Sequence, residues 1–377
     1  MSKSIFPSLL TIGVLTFSLA SSQEIHLDLE DSHSEVFVSG DEGYMCFRIP
    51  AIVKATNGDL LAFAEGRKQG CSDTGDIDLV MKRSNDGGLT WGPLKVIWDD
   101  GENTCGNPAP VVDEQTGFIN LLSTWNLGED RESEIIDETS TDTRRIYLLQ
   151  TKDYGKTWTA PSEITNMVKK PEWTWYATGP GSGIQLESGT YAGRLIVACD
   201  HIEAKTKMYF SHIIYSDDNG TNWHLGGSSP ADQVNECEVA ELSDGRLMIN
   251  MRNYDRTQKT RQIAYSHNGG ISWERQHHDS SLIEPVCQAS LHKHGKYLLF
   301  SNPASTEARV DMTLRISPDD GYNWSSSVSL NKERPAAYSD LVTVGDELIG
   351  CLFETGLENP YQFIVFQRVR LSTSPAD

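Results

Sequence analysis

The chain has 377 residues, 53 of them acidic against 32 basic, for a formal net charge of −21. That surplus repels polyanions, which excludes nucleic acid and anionic membrane surfaces as partners but leaves room for a small anion held by a local basic cluster. The seven cysteines stand singly at 46, 71, 105, 199, 237, 287 and 351, without CxxC or Cys/His ligand spacing. No metal or other cofactor is implied, and the odd count leaves at least one thiol unpaired.

The N-terminus reads as an export signal over residues 1–22, with Lys3, an apolar run over 5–19 and small residues at 20–22. The run is too short for a membrane anchor and is interrupted by Pro7 and Gly13, and no later stretch is apolar enough to span a bilayer. Residues 23–377 are expected to form one exported domain, whether secreted, periplasmic or lysosomal.

From there strands and turns follow in a repeating order. The first unit has strands over 48–55 and 60–66 joined by a hairpin turn at Asn57-Gly58, a polar loop over 67–76, and a third strand over 77–83. The octapeptide SNDGGLTW at 84–91 then turns the chain into a fourth strand over 94–98. The octapeptide returns as TKDYGKTW at 151–158, SDDNGTNW at 216–223, SHNGGISW at 266–273 and SPDDGYNW at 317–324. Its Asp or Asn closes a turn by bonding its own backbone, its glycine supplies positive φ, and its tryptophan buries a large ring against adjoining strands.

Similar strands precede each copy: 109–112, 118–125 and 145–150; 183–186, 194–201 and 208–215; 236–242, 246–252 and 261–265; 286–292, 296–301 and 312–316. A sixth unit starts at Tyr338, returns through 348–354 and has its third strand at 362–371, with no octapeptide after it. Residues 35–39 would supply its missing fourth strand and close a ring. The expected fold is therefore all-β, a six-bladed β-propeller of four-stranded antiparallel blades, since a β-sandwich does not account for the units. Two glycosylation sequons, at Asn219 and Asn323, fall inside octapeptide turns.

This shared order sorts side chains to two rims. The first strand begins where the second ends and where the loop from the second to the third lies, and the octapeptides sit about 17–20 Å away at the other end. Arg48, Glu236 and Tyr338 begin first strands, Arg67, Arg252 and Glu354 end second strands, and Asp73 and Arg309 lie in the intervening loops. Arginines interleaved with acids and a tyrosine at one rim predict a convergent anion site. His201 and Trp125 end second strands at that rim, where they would line a pocket or pack.

Phe47-Arg48-Ile49-Pro50, with the repeated octapeptides, resembles the exo-α-sialidase (neuraminidase) family of the bacterial and lysosomal type, which carries an F/YRIP motif and Asp-box repeats. Glu65-Gly66-Arg67, Ser72-Asp73, the run 175–185, Asn235-Glu236, Asn250-Met251-Arg252, the run 308–313 and the run 338–341 resemble it too, so the likeness extends over roughly 44–371. It implies that Arg48, Arg252 and Arg309 grip the carboxylate of sialic acid, a task suited to planar, always-charged forks. It also implies that Tyr338 attacks the anomeric carbon while Glu236 takes its proton, that Asp73 is the acid/base on the leaving oxygen, that Glu354 orients Arg48, and that Arg67 lines the pocket beside Asp73. Sialidases are known as the tyrosine-using exception among retaining glycosidases. A phenol avoids the repulsion that a carboxylate nucleophile would meet at a carbon already bearing a carboxylate.

Arg309 is preferred to Arg315, which lies two residues before an octapeptide at the wrong end of its strand. Asp73 is preferred to Asp76, which abuts the third strand, and Glu236 to Glu238, which is farther from the rim. Asp73 is expected to disfavour its charged form until substrate arrives. Cys46 and Cys71 each precede a site residue by two positions, so a bridge between them would steady Arg48 and Asp73. The resemblance implies hydrolysis of terminal sialic acids on glycans, glycoproteins or glycolipids. A trans-sialidase or intramolecular trans-sialidase, and a sialic acid-binding lectin, are the alternatives on the same scaffold.

Overall fold

The structure is a computed structural model that describes residues 23–375. The export signal expected over 1–22 lies outside the described residues. No helix among the described residues is long and apolar enough to cross a membrane.

The fold is all-β, built from antiparallel four-stranded meanders. Strands Cys46–Lys54, Leu60–Arg67, Ile77–Ser84 and Lys95–Trp98 form the first, and Thr104–Val112, Ile119–Asn126, Arg145–Thr151 and Ser162–Glu163 the second. A single parallel bridge, Ile77 to Thr104, joins these two into one eight-stranded sheet. The next three sheets are Trp173–Thr178 to His224–Ser228, Val234–Glu241 to Glu274–Ile283, and Ser290–His294 to Ser326–Ser329. The last takes Ala336–Gly345, Leu348–Thr355 and Phe363–Pro375 from the C-terminal end and Gln23–Val38 from the N-terminal end. The N-terminal strand of the last sheet is thus present but longer than the 35–39 expected.

The third sheet corrects the sequence reading. Its first strand is Trp173–Thr178, and residues 184–185 form only a short bridge onto the second strand. Between them Gly179 and Gly181 have φ of 63° and 112°, which breaks the strand. A Cβ at Gly181 would fall 2.0 Å from a Glu238 carboxylate oxygen, so this loop needs a glycine for close approach as well. In the fifth sheet the first strand starts at Ser290 rather than 286, because Val286 has φ +59°.

The octapeptides are clamps between neighbours. In the first, Ser84 Oγ donates to Asp86 Oδ1 (2.7 Å), the Gly88 N–H donates to Ser84 Oγ (2.8 Å), and the Thr90 N–H donates to Asp86 Oδ1 (3.0 Å). Asn268 keeps the same pattern, accepting from the Ser272 N–H at 3.0 Å, as a structural turn allows. The octapeptide glycines lie against the preceding meander: a Cβ would meet Leu61 at 2.4 Å from Gly155 and Ile213 at 2.3 Å from Gly270. Both sequon asparagines are exposed, and Asn323 donates its amide to Asp319 (2.6 Å).

Five of the first strands converge, together with the segment after the first strand of the third sheet. Ile52, Val112, Ser182, Ala240, His292 and Leu341, one from each meander, line a common cavity of about 1080 Å³. Below it Asp340 accepts from the Ile52 N–H (2.7 Å), Ser182 Oγ (3.1 Å) and Ser290 Oγ (3.2 Å). Glu238 accepts from Ser290 Oγ (2.9 Å) and the Leu291 N–H (2.7 Å), so this buried carboxyl pair ties five meanders together. Burial pushes the Asp340 carboxyl up to about 7 and raises Glu238 as well, with Asp340 adding to the latter. A carboxyl whose folded-state pKa lies above its unfolded value stabilises the fold at acid pH, and that contribution fades as pH rises from about 4 through about 7. Asp340→Asn is therefore expected to be relatively favoured as pH increases over that window, by about 1–4 kcal/mol. Parallel melting-temperature curves for variant and wild type between about pH 4 and 8 would contradict this.

Candidate active site

Each first strand except the fifth carries a β-bulge near its rim end, where two residues face one on the second strand. Asn235 and Glu236 lie between the pairs Val234–Asn253 and Cys237–Met251, and so face Arg252. Ala337 and Tyr338 face Glu354 in the same way, and Ile49, at φ +61°, follows Arg48 into a bulge against Ala64. The bulges turn these side chains off the sheet faces and toward one another.

The result is one contact network holding every site residue the sequence picks out. Tyr338 donates its hydroxyl to Glu236 Oε1 at 2.6 Å. Arg252 Nη1 donates to Glu236 Oε2 (2.5 Å) and to the Tyr338 oxygen (3.0 Å). Arg48 forks onto Glu354 through Nε (3.1 Å) and Nη2 (3.3 Å), and its Nη1 reaches Asp73 Oδ1 at 3.2 Å. Glu354, fully buried, also accepts from the Ile49 and Tyr338 N–H groups at 2.9 and 3.1 Å. Arg67 reaches Asp73 at 2.8 Å. The guanidinium carbons of Arg48 and Arg309 lie 4.9 and 5.6 Å from the centroid of the Tyr338 ring. Cys46 and Cys71 are disulfide-bonded with Cα atoms 5.3 Å apart, tying the Asp73 loop to the start of the first strand.

Protonation follows from these contacts. Burial, then the negative charge of Glu236, pushes the Tyr338 phenol well above its ordinary range against the three arginines, so it is neutral. Asp73 departs from the sequence reading. Burial alone would raise it, but Arg67 and then Arg48 outweigh that and hold it below the usual carboxylate value. Its side chain is 62% exposed, and in the free site it is a carboxylate paired with two arginines.

The competing residues lie elsewhere. Arg315 donates to Asn302 (2.8 Å), Asp76 pairs with Lys68 (3.0 Å), and Glu238 belongs to the buried carboxyl pair with Asp340. His201 is buried and stacked on Trp173, with ring centroids 3.5 Å apart, and Trp125 donates to Asp100 (2.7 Å), so both pack rather than line the site.

Four further residues belong to this rim. Glu65, buried, holds Arg67 Nε at 3.0 Å and accepts from the Asn107 N–H at 2.8 Å. It stands two residues before Arg67 on one strand, so alternation alone puts both on one face. Arg144 is buried on neutral acceptors, the Tyr176 carbonyl, Asn126, Thr124 and Asn107, with its guanidinium carbon 4.1 Å from the Trp175 ring centroid. Asp200, fully buried, accepts from Asn235 Nδ2 at 2.9 Å and is held neutral by burial and by Glu236. Tyr361 touches both Arg48 and Arg309.

Residues 58–351 match the family described as BNR repeat-like domain, a class of repeat-built chains. A sialidase of Bacteroides fragilis (strain YCH46) is 33% identical over 359 residues, 88% of this chain and 63% of that protein, so the chain spans less than two thirds of that relative. An exo-α-sialidase of Aspergillus fumigatus is 31% identical over 364 residues, 88% of this chain and 85% of that one. Among solved structures, the Hadza microbial sialidase Hz136 matches with a TM-score of 0.80 at 31% identity, over 90% of this chain and 68% of that one. The chain belongs to the sialidase family.

Proposed function

We propose that the protein is an exo-α-sialidase, a glycoside hydrolase that removes terminal α-linked sialic acids from glycans, glycoproteins or glycolipids with retention. The observation that carries this reading is the Tyr338–Glu236 contact at 2.6 Å, set among Arg48, Arg252 and Arg309. In this mechanism the three arginines take the substrate carboxylate. The Tyr338 oxygen bonds to the anomeric carbon as its proton passes to Glu236. Glu354 orients Arg48, and Arg67 holds Asp73 beside the leaving oxygen. A substrate carboxylate reaching Arg48 would take one of Asp73's two arginines and add a negative charge nearby. Both effects raise the proton affinity of Asp73, which lets it act as the acid on the departing oxygen. Water then attacks from the face the leaving group vacated, with Asp73 as base, and the Tyr338–sugar bond breaks as Glu236 returns its proton to the Tyr338 oxygen.

The scaffold is read as a single domain over 23–377, a six-bladed propeller. Support for it comes from the cavity shared by five first strands and the 182–186 segment of the third sheet, and from the pairing of Gln23–Val38 with Phe363–Pro375. The Cys46–Cys71 bridge agrees with an exported protein in an oxidising compartment. The test is release of the fluorophore from an α-sialoside, repeated with lactose present. Free sialic acid as the product supports the proposal, a sialylated lactose or an anhydro sugar indicates transfer, and binding without turnover indicates a lectin.

A further inference from the structure

The loop between Leu348–Thr355 and Phe363–Pro375 carries Tyr361, half-buried at the rim of the last sheet. The loop is tightly fastened. Gln362 Oε1 accepts from the Leu357 and Glu358 N–H groups (2.6 and 2.9 Å), and the Tyr361 N–H donates to Asn359 (2.9 Å). Ser39 Oγ donates to the Tyr361 carbonyl (2.7 Å) and accepts from the Phe47 N–H (3.1 Å), one residue before Arg48. So held, the Tyr361 ring lies 4.3 Å from the Arg48 guanidinium carbon, and its hydroxyl accepts from Arg309 Nη1 at 3.2 Å.

Arg309 makes this contact informative. Arg48 is fixed by Glu354 and Arg252 by Glu236, but Arg309 has no carboxylate partner among the described residues. Its hydrogen bonds go to two neutral oxygens, the Tyr361 hydroxyl and the Val286 carbonyl at 3.1 Å. Its charge is therefore left for a ligand, while its direction is set by Tyr361. The same ring packs against Arg48, whose guanidinium edges bond Glu354 and Asp73.

We propose that Tyr361 is a positioning residue that fixes the angle between Arg48 and Arg309 and so sets how tightly the site grips the carboxylate of its substrate. This rests on the sialidase reading above. Tyr361 acts on the charge common to substrate, intermediate and product, so its loss weakens binding throughout the reaction rather than slowing one chemical step. Tyr361→Phe keeps the ring on Arg48 and frees Arg309, and Tyr361→Leu removes both contacts.

The experiment compares wild type, Tyr361→Phe and Tyr361→Leu for kcat, KM, melting temperature and affinity for sialic acid and its methyl ester. Phe is expected to raise KM roughly threefold and Leu about tenfold, with kcat changed by less than about threefold. The preference for acid over ester should shrink in the same order. Unchanged KM and acid-to-ester preference in Tyr361→Phe and Tyr361→Leu, or a fall in kcat at constant KM, overturns the assignment of Tyr361. A wild-type protein that neither turns over a sialoside nor prefers acid to ester overturns the parent reading instead. If the leucine variant does not fold, the near-isosteric phenylalanine variant alone decides.

Discussion

Tyr338→Phe is expected to lower kcat for sialoside hydrolysis by at least about 10³-fold while leaving the affinity for sialic acid within about threefold. The substitution removes one oxygen and nothing else of the ring. That oxygen donates to Glu236 at 2.6 Å and accepts from Arg252 at 3.0 Å, so its loss removes both the attacking atom and the proton Glu236 would take. The ring that Arg48 and Arg309 pack against survives, and with it the carboxylate grip. Turnover on a fluorogenic sialoside and calorimetric binding of sialic acid separate the two effects. Full turnover in the variant would mean that another group attacks the anomeric carbon. Lost binding would mean that the hydroxyl serves to shape the pocket.

The second large effect concerns stability. Glu354→Ala should destabilise the fold by about 3–5 kcal/mol and abolish most turnover with it. Glu354 is fully buried, and its two oxygens take both arms of the Arg48 fork and the N–H groups of Ile49 and Tyr338. Alanine leaves two backbone donors unpaired and one buried cation with only the exposed Asp73 for a partner. Glu354→Gln preserves volume but offers one acceptor where two are used, so it should fall between alanine and wild type. Denaturant unfolding measures the loss directly, and a change below about 1 kcal/mol for Glu354→Ala would show that Arg48 finds another anchor.

Much of the candidate site is legible in the sequence because two rules act together. A repeated order of strands sorts residues by rim, and charged residues at strand ends are unusual enough to be noticed. Arg48, Glu236 and Arg252 stand out that way, and the neutral Tyr338 through the resemblance of the run 338–341 to the family. The same filter hid Tyr361, an aromatic residue one position before a strand, although the rim rule applied to it equally. Glu65 needed only the alternation that pairs it with Arg67. The bulges could not be read, because they exist in the pairing of two strands and leave no mark in either alone. Asp73 was misjudged for an electrostatic reason: the arginines assigned to substrate are, without it, free to pair with the nearest carboxylate. The third sheet's first strand was misplaced because the Gly179–Gly181 break separates Trp173–Thr178 from the apolar run that looked like the strand itself.

The pairing of Gln23–Val38 with Phe363–Pro375 has a bearing on biosynthesis. His26 and Ser374, bonded across that seam, are 348 residues apart, so all the residues between them must leave the ribosome before the clasp can fasten. Until then Gln23–Val38 lacks its partner strand and its hydrogen-bonding edge is bare, an invitation to intermolecular pairing during slow translation or crowded expression. Completing the last sheet therefore requires Gln23–Val38 to dock onto Phe363–Pro375, a contact between segments far apart in sequence.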